Sequence, residues 1–217
     1  MKIKTKYSKG VWLTFLGPDG CGKSSVIQGV MNLIDHDLFS GVEVIHLRPH
    51  VGQSINRSNA KSVVENPHEQ KKRNKIISVF KIIYFLFDYT LGYFIKVRPL
   101  LQDNKLVIFD RYYYDLQVDP LRYRYGGPMW FSQFIGHFIP KPDLVIVLNA
   151  SAETIQSRKK EVPFEETERQ TYEYQGLSET MDNVIIVNAE QTIERVVRDV
   201  NDAVLDYMEH RMRSRLG

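Results

Sequence analysis

VWLTFLGPDGCGKSS, residues 11–25, is the stretch whose reading decides the fold. It begins with an unbroken apolar run from Val11 to Leu16. It ends in Gly17-Pro18-Asp19-Gly20-Cys21-Gly22-Lys23-Ser24, which fits G-x-x-x-x-G-K-[ST]. A buried strand turning through glycines into a helix start is the backbone of a phosphate cradle. Successive N–H groups can converge on phosphate oxygens, and the helix opening near Lys23 adds its positive end. Lys23 offers a mobile cation to the β and γ phosphates, and the Ser24 hydroxyl can ligate Mg²⁺. Gly17, Asp19, Gly20, Cys21, Gly22 and Ser25 complete the predicted cofactor-binding loop.

Four more apolar runs lie downstream: VEVIHL from Val42, LVIFDR from Leu106, DLVIVLN from Asp143 and NVIIVN from Asn183. They are continuous rather than alternating, which suits strands covered on both faces, as in the parallel sheets of α/β proteins. The fold class is therefore α/β. Helical periodicity between the runs predicts helices at about 23–35, 70–99, 128–139, 152–160, 165–181 and 191–215.

The chain has 217 residues, 43% of them hydrophobic and 25% charged, enough to fill a core and too apolar for disorder. Lys plus Arg exceed Asp plus Glu by only 29 to 26, so bulk charge implies no nucleic-acid polymer as partner. The single cysteine, Cys21, excludes an internal disulfide and suits a reducing, cytoplasmic setting. The start, MKIKTKYSKG, is basic, but the apolar run after it is shorter than the roughly 7–15 residues of an export-signal core, so none is expected. The greasiest stretch, Ile76 to Val97, carries Lys81, Asp88 and Lys96, whereas a membrane span wants about 20 nearly uncharged residues; it is read as a buried or interfacial helix. Its row Tyr84, Phe85, Phe87 and Tyr93 reads as core or subunit interface. The six histidines form no pair at metal-ligand spacing. The C-terminal stripe Ile193, Val196, Val197, Val200, Val204 and Leu205 suits a helix docked on the sheet.

A second anchor is LVIFDRY, where Asp110 ends a strand at the sheet's carboxyl edge. By itself such an aspartate marks a turn. Beside a phosphate loop it can orient the metal's water shell, because ligands of open α/β sheets collect at that edge.

FLGPDGCGKSS followed by FDRY resembles the thymidylate kinase family, in order and spacing over most of the chain, with these two motifs the close ones. The resemblance implies a single P-loop kinase domain with five parallel strands, usually a homodimer, moving the γ-phosphoryl of ATP to a small phosphorylated acceptor, dTMP first among them. Under it, Asp19 faces the acceptor's sugar hydroxyl, and Arg111 and the Arg48 of HLRPH grip its phosphate. The alternative for each arginine is a surface ion pair. Phe85 stands at the family's base-stacking position, but Tyr89 replaces the arginine that reads the base edge, and YYYDLQ departs from the family's Tyr-Val-Asp-Ser-Ser. An acceptor other than thymidine is therefore the alternative.

Some family members carry an arginine in the phosphate loop where this chain has Gly20, so a cation must come from elsewhere. SRKKEVPFEETERQ, a lid at about 157–170, offers Arg158, Lys159, Lys160 and Arg169 around Pro163, with Arg158 and Arg169 as the candidate catalytic residues. The bland reading of that segment is a solvated hairpin pairing Glu165 with Arg169. A basic stretch at about 48–75 is read as an acceptor-side insert or as a solvated loop. A GTPase would show an Asn-Lys-x-Asp guanine reader, which NASAE and NAEQT lack. A nonenzymatic ATP-dependent switch is the remaining alternative.

Overall fold

The structure is a computed structural model and describes residues 10–33, 38–50 and 72–216. Most of the stretch at 48–75 lies outside the described residues. Five strands form one all-parallel sheet: β1 (Val11–Leu16), β2 (Val42–His46), β3 (Leu106–Asp110), β4 (Leu144–Asn149) and β5 (Val184–Asn188), in the order β2-β3-β1-β4-β5. The helices are α1 (Lys23–Leu33), α2 (Lys75–Gly92), α3 (Arg98–Gln102), α4 (Asp115–Val118), α5 (Met129–Gly136), α6 (Ala152–Arg158), α7 (Phe164–Thr180) and α8 (Ile193–Leu216). All five apolar runs are strands; the three central ones, β1, β3 and β4, are buried on both sides, whereas the edge strands β2 and β5 are partly exposed, with Val44 and Ile186 open to solvent.

Odd-numbered positions of β1 (Val11, Leu13, Phe15) pack under α1 and α8, against Val26, Val30, Val197 and Val200. The opposite face is aromatic. Trp12 stacks on Tyr93 at 5.6 Å and meets Phe109 and Tyr112 at 5.4 and 5.5 Å, under α2 and α7. Because β3 and β4 flank β1, the chain leaves the sheet in opposite directions on the two sides of β1. Its carboxyl end therefore opens the crevice in which such sheets bind ligands.

The helix before β3 runs without a break from Lys75 to Gln102 but is not uniformly α-helical. Pro99 has no N–H to give Ile95, and the preceding turn widens into a π-helical segment, Tyr93–Val97, where Arg98 N bonds back to the Tyr93 carbonyl. The aromatic row also divides. Phe85 and Tyr93 are buried, but Tyr84 and Phe87 are exposed, because they occupy the helix face turned away from the sheet. The run Lys75–Gln102 is long and apolar enough to cross a membrane by length and composition alone, yet one side of it forms the core with Ile82, Phe85 and Tyr89.

Candidate active site

The loop between β1 and α1 bends where only glycine bends easily. Gly17 has φ +139°, and a Cβ there would come within 2.7 Å of the Leu148 carbonyl and 2.8 Å of Cys21 Sγ. Gly20 has φ +91°, with Ile155 O and Lys159 Cβ each 3.1 Å from where its Cβ would stand. Lys23 is buried and donates to the carbonyls of Gly17 and Pro18 at 2.7 and 2.8 Å, which curls the loop around its ammonium. Burial pushes the Lys23 pKa below its ordinary value, while Cys21, Asp115 and Asp110 pull it back. Ser24 and Ser25 are exposed at the start of α1.

Parallel register carries Asp110 to the same edge, pairing it with Phe15 on one side and His46 on the other. His46 Nδ1 lies 3.1 Å from Asp110 Oδ2, while the buried Oδ1 has no hydrogen-bond partner among the described residues. Burial alone would raise the Asp110 pKa. The hydrogen bond and charge of His46, with the cations Lys23 and Arg111, outweigh it and hold the carboxyl below its ordinary value. An anionic oxygen without a protein donor among the described residues, at the sheet edge that also carries the phosphate loop with its exposed Ser24 hydroxyl, suits a hard cation that also binds phosphate. The donor set therefore fits Mg²⁺.

Arg111 follows at φ +74°, its amide bonded to the Phe15 carbonyl at 3.0 Å. Its Nη1 donates to both oxygens of Asp115 at 2.9 Å, and its Nη2 pairs with Asp19. Burial would lower the Arg111 pKa, but the Asp115 carboxylate raises it. Asp115 is fully buried and also accepts from Tyr123 at 3.0 Å and from Tyr174. Asp19 thus meets guanidinium groups, Arg111 and Arg122.

On the α2 side, Arg48 pairs with Asp88 at 3.1 Å and lies over Phe85, 4.8 Å from the ring centroid. Its buried Nε has no partner among the described residues. Lys81 stands 5.4 Å from the same ring and donates to the Tyr123 carbonyl. Burial, then the cations Arg73, Arg48 and Arg124, push the Lys81 pKa down to about 8. Phe85 is only 4% exposed, and Tyr89 is 2% exposed with its hydroxyl bonded to the Leu47 carbonyl.

Comparison with known proteins agrees with this arrangement. The family model described as thymidylate kinase matches residues 15–200. The chain belongs to the thymidylate kinase family. The thymidylate kinase of Staphylococcus haemolyticus (strain JCSC1435) is 25% identical over 213 residues, covering 91% of this chain and 98% of the relative. The chain is accordingly an ATP-dependent nucleoside monophosphate kinase.

Within that thymidylate kinase frame, the segment expected to be a lid breaks at Pro163 between α6 and α7 and lines a crevice with Pro18 and Asp19 of the phosphate loop through Lys159, Glu161 and Val162. Arg158 donates instead to the Ala189 carbonyl beyond β5, at 3.0 Å. Arg169 pairs with Glu166 and donates to the Val118 carbonyl, both at 2.7 Å. The hairpin pairing expected with Glu165 is made by Glu166, because i, i+3 spacing here presents the nearer carboxylate. In the sequence, Lys81 and Asp88 read only as charges interrupting an apolar helix, and His46, Asp115, Arg122 and Tyr174 are given no part in the site. Of these four, His46 alone had a signal in the sequence, as the last residue of a strand ending level with Asp110.

Proposed function

We propose that the protein transfers the γ-phosphoryl of ATP to the phosphate of dTMP. An acceptor oxygen attacks the γ phosphorus, the bond to the β–γ bridging oxygen breaks, and dTDP and ADP leave. The observation that carries the reading is the meeting of Lys23, Arg111 and the unpartnered Asp110 Oδ1 at one end of β1 and β3. The amides of Gly17, Asp19, Gly20, Cys21, Gly22 and Ser25 cradle the polyphosphate. Ser24 and Asp110 would hold Mg²⁺, which when bound neutralises the charge of the β and γ oxygens. Arg111 and Arg48 grip the acceptor phosphate, Phe85 and Tyr89 border the base, and the lid with Arg158 and Arg169 excludes water.

A second reading has one observation of its own. Arg48 covers the ring face of Phe85 and Tyr89 is committed to Leu47, so a thymine ring would have to displace a guanidinium to stack. That favours a small phosphorylated acceptor without thymine, on the same donor site. An ADP-release assay across dTMP, other nucleoside monophosphates and sugar phosphates tests both. Fastest turnover of dTMP supports the first, and faster turnover of another acceptor supports the second. ATP binding with no acceptor-stimulated turnover would leave a nonenzymatic switch. Lys23→Ala should cut turnover by about 10²–10³-fold with the far-ultraviolet spectrum retained.

The partner we infer is a second copy of the chain. Ile77, Phe80, Tyr84, Phe87, Leu91 and Phe94 are all exposed and recur along α2 and its π-helical turn at alternating spacings of three and four, the pattern of a helix that packs on another helix. A nucleic-acid polymer and a membrane are not part of this reading, and the reduced thiol of Cys21 suits a cytoplasmic setting.

A further inference from the structure

We propose that Arg122 is a catalytic residue, its guanidinium binding the migrating phosphoryl group in place of the arginine that Gly20 does not supply. The proposal rests on the kinase reading above.

Arg122 is fixed at its base and aimed at its tip. It follows the turn Asp119-Pro120-Leu121, and Asp119, nearly fully buried, accepts from the Arg122 main-chain N at 3.1 Å and from Nε at 3.2 Å. With that edge held, Nη2 faces away from the turn, where it pairs with Asp19 of the phosphate loop and lies 3.6 Å from Glu161 of the lid. Glu161 in turn pairs with Lys159. One guanidinium therefore touches the loop that cradles the polyphosphate and the segment that closes over it.

The other cations divide sharply. Arg158 and Arg169 are directed to the Ala189 and Val118 carbonyls. Gly20 cannot carry a side chain without pushing on Ile155 and Lys159. Lys159 is largely exposed and engaged by Glu161. Arg122 combines anchoring by a buried carboxylate with a planar fork that matches phosphate oxygens, as a lysine does not. Asp19 and Glu161 hold that fork in position, and an incoming phosphoryl, richer in charge than either carboxylate, competes for the same donor. Arg122 then contacts an equatorial oxygen of the γ-phosphoryl while the bond to ADP breaks; it takes no proton and forms no covalent bond.

A purely structural strap between loop and lid is the competing account, and two measurements separate them. In the first, acceptor-stimulated turnover is compared in the full-length wild type, Arg122→Ala and Arg122→Lys. We expect kcat to fall by about 10²–10³-fold in both variants, with KM for ATP within about threefold, and guanidinium ion at millimolar concentration to restore part of the Arg122→Ala rate. Arg122→Lys keeps the charge beside the Asp19, Asp119 and Glu161 carboxylates but not the fork, so it guards against a variant that fails to fold. The second measurement needs no acceptor: Mg·ADP with aluminium fluoride, a mimic of the migrating group, should bind the wild type and lose its added affinity in Arg122→Ala while ADP alone still binds. Unchanged kcat, loss without guanidinium rescue, or full retention of the fluoride complex would overturn the assignment. If the wild type itself lacks acceptor-stimulated turnover, the kinase reading fails, and the fluoride measurement still decides whether Arg122 meets a γ-phosphoryl.

Discussion

The hydroxyl of Tyr89 donates to the main-chain carbonyl of Leu47 across 2.8 Å, and Leu47 sits at φ +62°. The helix that family members use to read a base here holds the backbone after β2. Lys96 does the same to Pro49 and His50, and Arg48 ties back to Asp88. Tyr89→Phe removes only the donor and leaves a part-buried carbonyl in a left-handed turn. We expect a loss of about 1–3 kcal/mol in chemical denaturation. KM for the acceptor should rise while KM for ATP stays constant, since Arg48 sits one residue beyond the released carbonyl. Equal changes in both constants would place the effect elsewhere.

Under the proposed reading, Lys81 beside Phe85 gives acceptor binding a pH dependence. Its folded pKa of about 8 lies below the ordinary 10.5, so the ammonium is present below about 8 and lost above it. The free enzyme's kcat/KM for an anionic acceptor should therefore decline as pH rises through about 8. Stability moves the other way. Between the folded and ordinary pKa values the unfolded chain binds more protons, so this residue adds stability as pH rises through that window. Lys81→Arg keeps its charge and should flatten the decline in kcat/KM. A decline of the same size in Lys81→Arg would assign it to another group.

Asp115 organises the interior of the site. It accepts both Nη1 bonds of Arg111 and the hydroxyls of Tyr123 and Tyr174, with no exposure to solvent. Asp115→Asn removes the buried one of the two carboxylates that pair with the Arg111 guanidinium, leaving Asp19, and breaking such a buried pair costs about 3–5 kcal/mol. Thermal unfolding should show the loss at neutral pH. If the variant is as stable as the wild type, Arg111 is held chiefly by Asp19.

The central strands β1, β3 and β4 were legible because continuous burial writes itself as unbroken Val, Ile and Leu runs, and Lys23, Asp110 and Arg111 because their motifs are local. Asp115, Arg122 and Tyr174 come from separate segments that only the folded chain brings together, so no spacing announces them. Along α2 the difficulty is different. Apolar residues surround the helix, and with no polar stripe the sequence cannot distinguish Phe85, which faces the sheet, from Phe87, which faces outward. The π-helical turn before Pro99 then shifts the helical phase of the residues beyond it.

That outward face makes a prediction about assembly. Phe80 and Phe87 lie near the centre of the exposed seam, and replacing both with Glu places charge where a second helix would pack. Sedimentation should show a dimer for the wild type and a monomer for Phe80→Glu/Phe87→Glu, with helical content retained. A wild-type monomer at micromolar concentration would exclude the proposed pairing.

Gly20 tests how the lid meets the phosphate loop. At φ +91° any side chain costs about 1–3 kcal/mol in backbone strain. The atoms that would meet it are no better able to move. Ile155 O accepts the 2.9 Å bond from Lys159 N that ends α6, and Ile155 Cγ2 lies 3.3 Å away. A methyl group at this position must therefore push the end of α6, and with it Lys159 and Glu161, back from the loop by a few tenths of an ångström. Gly20→Ala should lower the melting temperature and raise KM for ATP, because the displaced segment forms the wall of the phosphate crevice. Gly20→Arg, which copies the loop arginine of other family members, should gain no rate, since its backbone is strained and its space is taken. A Gly20→Arg variant as active as the wild type would mean that the lid does not rest on this loop during turnover.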